Sequence, residues 1–76
     1  MDETIKAIAK ELKLIRIAND YTLEHIAAKT KVNAGTICRY ESGTSDIKIS
    51  TLDKIIKGYD IDTGFFLAKV FAKTQD

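Results

Sequence analysis

The sequence predicts an all-α fold of five short helices, and three observations carry that expectation. Its 76 residues include no proline and only four glycines, so little in the chain breaks helices or supplies the turns of a β fold. Its apolar residues, 45% of the total, recur at steps of three and four rather than in alternation. The apolar stretches are separated by Thr22, Asn33 and Asp62, residue types whose side chains cap helix starts. A chain of this length has room for one domain, 1–76, whose core is small enough to need regular helix packing or oligomerisation.

Each element can be justified in order. Ile5, Ile8, Leu12 and Ile15 form one stripe of a first helix, with Lys6, Lys10 and Lys13 mainly on the other face. Asn19-Asp20 ends that pattern. Thr22 caps a short second helix whose inner side is Ile26, Ala27 and Thr30. Lys31-Val32 is a tight connection, and Asn33 caps a third helix reaching about Glu41. Ser42-Gly43 is a stop, with the glycine free to adopt a left-handed cap. After the polar loop Thr44-Ser45-Asp46, residues Ile49, Leu52, Ile55, Ile56 and Tyr59 give a fourth amphipathic stripe. Asp62 caps a fifth helix carrying Phe65, Phe66, Leu67, Val70 and Phe71.

Composition removes several functional classes. The single cysteine, Cys38, excludes an internal disulfide and a cysteine zinc cage, and fits a reducing cytosol. His25 stands alone, without ligands at metal spacing, so no metal or cofactor is expected. No apolar run approaches a membrane span, and the acidic start Met1-Asp2-Glu3-Thr4 is unlike a signal peptide, so the expected location is the cytoplasm. No nucleophile–base pair, phosphate loop or ligand cluster suggests an enzyme. The net charge is only +1, yet residues 29–48 carry Lys29, Lys31, Arg39 and Lys48 against Glu41 and Asp46. A locally basic stretch of this kind suits a small domain that reads a nucleic-acid groove.

The most informative segment is Thr22–Gly43: a capped helix, a very short turn, a second short helix and a glycine stop. Two such helices crossing steeply need a small residue at the crossing, supplied by Ala27, and apolar anchors, supplied by Ile26, Val32 and Ile37. The arrangement projects its second helix from the surface at a size that the DNA major groove accepts. With Arg16, the run Thr22-Leu23-Glu24-His25-Ile26-Ala27, the run Val32 to Gly43, and Leu52 and Ile55, the chain resembles the Cro/repressor or XRE family over residues 8–67.

That resemblance implies a lambda-repressor-like helix-turn-helix fold whose third helix reads double-stranded DNA. It places Ala34, Gly35, Cys38 and Arg39 at positions facing base edges, Thr36 and Ser42 near bases or phosphates, and Arg16 with Glu41 as a structural ion pair. Two positions depart from the family pattern. Leu23 replaces a phosphate-holding glutamine, leaving the backbone amides behind Thr22 to hold the anion. Lys31 replaces the turn glycine, which requires a left-handed backbone or an altered turn. The stretch Leu52–Phe66, with Ile55-Ile56-Lys57-Gly58 and Phe65-Phe66, looks like the controller proteins of restriction–modification systems; phage and mobile-element repressors share the same build.

Read from its chemistry, Arg39 can pair its guanidinium with guanine O6 and N7, or contact a phosphate, or simply be solvated. Ala34 can touch a thymine methyl, Gly35 lets backbone approach the duplex, and Cys38 is a small side chain at the groove. Lys29, Lys31, Thr44, Ser45 and Lys48 flank the third helix as phosphate contacts. Phe65, Phe66 and Leu67 are consecutive, and adjacent helical residues lie about 100° apart, so the fifth helix has a second apolar face. With Tyr59, Ile61, Phe65, Phe66, Val70 and Phe71 as its members, that face is expected to form a homodimer, or else to close the domain's own core. A dimer would set two reading helices about one DNA turn apart on a palindrome. The expected partners are thus DNA and a second copy, with RNA polymerase a further candidate. The competing reading is a protein-interaction module, such as an antitoxin, that keeps the fold.

Overall fold

The computed structural model describes residues 3–74; Met1, Asp2, Gln75 and Asp76, and with them part of the acidic start, lie outside the described residues. Five helices follow one another: α1 (Glu3–Ala18), α2 (Leu23–Thr30), α3 (Ala34–Ser42), α4 (Ile49–Lys57) and α5 (Thr63–Thr74). Their starts are where cap chemistry puts them. Thr22 accepts a hydrogen bond from the His25 amide, Asn33 from Gly35 and Asp62 from Phe65, each satisfying an amide the helix itself leaves free. The start of α4 has no side-chain cap at Lys48. Instead the buried Tyr40 hydroxyl accepts from the Lys48 amide at 3.1 Å, tying the α3–α4 loop to α3.

One apolar cluster joins all five helices. Ile8 and Leu12 of α1, Ile26 of α2, Ile37 and Tyr40 of α3, Leu52, Ile55 and Ile56 of α4, and Phe66 and Val70 of α5 are buried in it, with Val32 from the turn. α1 packs between α3 and α5, while α2 packs on α3 and α4. Gly58 permits the last of these contacts: a Cβ there would stand 2.3 Å from Thr30 Cγ2. α3 ends at Gly43, whose φ of 71° is the expected left-handed cap. Lys31 also adopts the left-handed backbone, at φ 60° and ψ 28°, so the turn keeps its geometry without glycine.

Two expectations need correction. Ile49, assigned to the inner stripe of α4, is the first residue of that helix and is 62% exposed. Phe66 and Val70, expected at a dimer surface, are each 1% exposed. Their faces of α5 are consumed by the subunit's own core, and neither has surface to offer a partner. Conversely, Glu11 is buried on α1 and bonded to α5, by Lys73 at 2.9 Å and Lys69 at 3.5 Å. The Lys73 hydrogen bond, partly opposed by burial, holds the Glu11 carboxyl below the usual carboxylate range.

Candidate nucleic-acid interface

α3 has an inner and an outer side. Ile37 and Tyr40 anchor it in the core, whereas Gly35, Cys38, Arg39 and Ser42 are exposed and Ala34 and Thr36 half-buried. Residues 35, 38, 39 and 42 recur at helical steps, so these positions share one outward stripe. The same stripe carries its own hydrogen bonds. Arg39 Nη2 donates to Thr36 Oγ1 at 3.2 Å, Ser42 Oγ donates to the Arg39 carbonyl at 2.8 Å, and the Ser42 and Thr44 hydroxyls are 2.7 Å apart.

The frame behind this stripe is an ion pair. Arg16 Nε and Nη2 donate to the Glu41 carboxylate at 2.8–3.1 Å, and Nη1 donates to the Tyr21 carbonyl at 2.9 Å. These bonds join α1, the α1–α2 turn and the end of α3. The Glu41 hydrogen bond stabilises the guanidinium charge further, raising the Arg16 pKa. Replacing either partner strands a largely desolvated charge, at a cost of about 3–5 kcal/mol.

Of the flanking residues, Thr22, Lys31, Ser42, Thr44 and Lys48 are exposed. Ser45 is not equivalent: its hydroxyl oxygen is buried without a hydrogen-bond partner, which removes it from the outward-facing donors. Lys29 is exposed but lies 5.5 Å from the Tyr21 ring centre and borders a recess with Lys54 and Lys57, not the one beside Cys38. Lys13, by contrast, was assigned by its spacing to the solvent face of α1. It lines a shallow recess with Leu23, Cys38 and Ser42, which makes it a further cation beside the outward stripe. Its position three residues before Arg16 was the available signal, since i and i+3 share a helix face.

In the carboxy-terminal part of the chain, Phe65 is 65% and Phe71 41% exposed, while Tyr59 and Ile61 are half-buried. Tyr59 stacks on Tyr21 at 5.9 Å, and burial pushes its phenol up to about 12, with the buried hydroxyl unbonded. Among the described residues no group of three or more His, Cys, Asp or Glu side chains is placed to hold a metal, and no helix is long and apolar enough to cross a membrane.

Two short helices joined by a tight turn, the second presenting a polar stripe beside exposed cations, define a protein of the helix-turn-helix class. The chain belongs to the helix-turn-helix family, whose model matches residues 12–66. Among solved structures it is similar to the restriction–modification controller protein C.Esp1396I, crystallised as a tetramer with its natural 35 base-pair operator. That match has a TM-score of 0.88 and 20% identity and covers 100% of both chains. A tyrosine-to-phenylalanine mutant of the same controller protein matches with a TM-score of 0.86 at 20% identity, over 99% of this chain and 95% of that one. No curated protein matches the chain by sequence.

Proposed function

We propose that this chain is a sequence-specific DNA-binding regulator of transcription, acting in the cytoplasm as a homodimer on a palindromic operator. The observation that carries the reading is the division of α3 into a buried Ile37–Tyr40 side and an exposed stripe of Gly35, Cys38, Arg39 and Ser42. The Arg16–Glu41 pair fastens the end of that helix to α1. In this reading Ala34, Gly35, Thr36, Cys38 and Arg39 meet base edges. Thr22, Lys31, Ser42, Thr44 and Lys48 hold phosphates, with Lys13 added and both Ser45 and Lys29 dropped. The similar controller protein binds its operator as a tetramer, which supports both DNA and self-association as partners here. The role is one of binding, without catalysis.

Binding to random duplex at increasing salt tests the reading. Each neutralised phosphate contributes a slope of about −0.9 to log K against log salt, so several contacts give a steep decline. Selection from a random DNA pool should then return a palindrome with half-sites about one turn apart. Absent or salt-independent binding would sink the regulator reading and favour a protein-interaction module.

A further inference from the structure

We propose that Thr36 is a positioning residue for Arg39, so that the two read one base pair as a unit; this rests on the regulator reading above. Arg39 is exposed and Thr36 half-buried one turn earlier on the same helix. The 3.2 Å bond from Arg39 Nη2 to Thr36 Oγ1 therefore fastens a mobile side chain to a fixed one. Threonine suits the task because its branched Cβ restricts χ1 and holds the hydroxyl in place. The neighbouring carboxylate on α3, Glu41, is committed to Arg16 and does not compete for the guanidinium.

Gly35 completes the arrangement on the other side. A Cβ there would lie 3.8 Å from Arg39 Nη1 and 2.9 Å from the Asn33 oxygen that caps the helix. A side chain at 35 would press on the cap oxygen, and its first carbon would come into ordinary contact with Nη1. Its absence leaves Nη1 open while Nη2 is held. The guanidinium has five N–H donors in a planar fork. One donor spent on Thr36 fixes the plane, and the rest remain for a base edge with two acceptors, as guanine presents in the major groove. An unrestrained arginine must instead lose its rotamer freedom on binding, which corresponds to about a 2- to 10-fold loss.

The test compares the full-length chain with Thr36→Val, Thr36→Ser, Arg39→Ala and the Thr36→Val/Arg39→Ala double variant. Each is titrated against the selected operator and its single-base variants, with thermal melts alongside. Arg39→Ala should flatten preference at one base pair per half-site. Thr36→Val should lower preference at that same base pair about 2- to 10-fold, leaving the salt slope and melting temperature unchanged. Thr36→Ser should restore it, and the double variant should lose no more than Arg39→Ala alone. Preference altered at a different base pair by Thr36→Val would show that Thr36 acts on a base independently of Arg39 and overturn the proposal. An unchanged profile, or failure of serine to rescue, would overturn it too, leaving the regulator reading intact. A wild-type chain without any base preference would overturn both.

Discussion

Lys31 occupies a backbone conformation, φ 60° and ψ 28°, that costs an L-residue with a Cβ about 1–2 kcal/mol. Asp20 and Asp60 take the same region, but aspartate is among the residues that tolerate it. A lysine in the tight turn before α3 is therefore the more strained choice, and in the proposed function its exposed charge would meet a phosphate there. The two roles separate by substitution. Lys31→Gly should stabilise the fold by about 1 kcal/mol, raising the melting temperature by roughly 4–8 °C for a domain of this size. The same variant should bind duplex more weakly, with its salt slope reduced by about 1. Calorimetry and a salt titration on one preparation check both signs, and a variant less stable than wild type would contradict the strain argument.

Among the elements, α1 and α5 are held together by a contact that local pattern does not reveal. The helices themselves were legible: the three- and four-residue recurrence located α1 and α4, and Thr22, Asn33, Gly43 and Asp62 marked ends that the structure has. Glu11 was not, although it lies three residues after Ile8 and thus on the buried side of α1. A buried carboxylate is explicable only once its cations are known, and Lys69 and Lys73 are 58 and 62 residues away in the chain. The contact has a pH signature. Because the folded-state pKa of Glu11 is depressed below its ordinary 4.5, its contribution is fully present above that value and is lost as pH falls through the folded pKa. Urea unfolding at pH 7 should show Glu11→Gln less stable than wild type, with the difference shrinking towards pH 3. A gap independent of pH would mean that the glutamate acts by packing alone.

For the molecule as a whole, the decisive question at the carboxy-terminal end is which aromatics serve the core and which face outward. Sequence could not sort Phe65 from Phe66, because both are large, apolar and adjacent, and burial depends on the angle at which α5 meets α1 and α4. The structure separates them, at 65% and 1% exposed. Phe66→Ala should cost about 3–5 kcal/mol through the cavity it leaves, a large share of the stability of so small a domain. Phe65→Ser paired with Phe71→Ser should leave the helical signal intact and convert the expected dimer to monomer in sedimentation velocity, with weaker operator binding. An unchanged dimer would put the self-association surface elsewhere.

The hydroxyl of Tyr40 reaches out of the core to hold the Lys48 amide, and so anchors the far end of the stretch that leaves α3. The span from Thr44 to Lys48 is thereby set against the recognition helix before any duplex arrives. Under the proposed function, its contacts to the sugar–phosphate chain would need little ordering at the moment of encounter, and the ordering entropy is met once, during folding, rather than again at every operator visit.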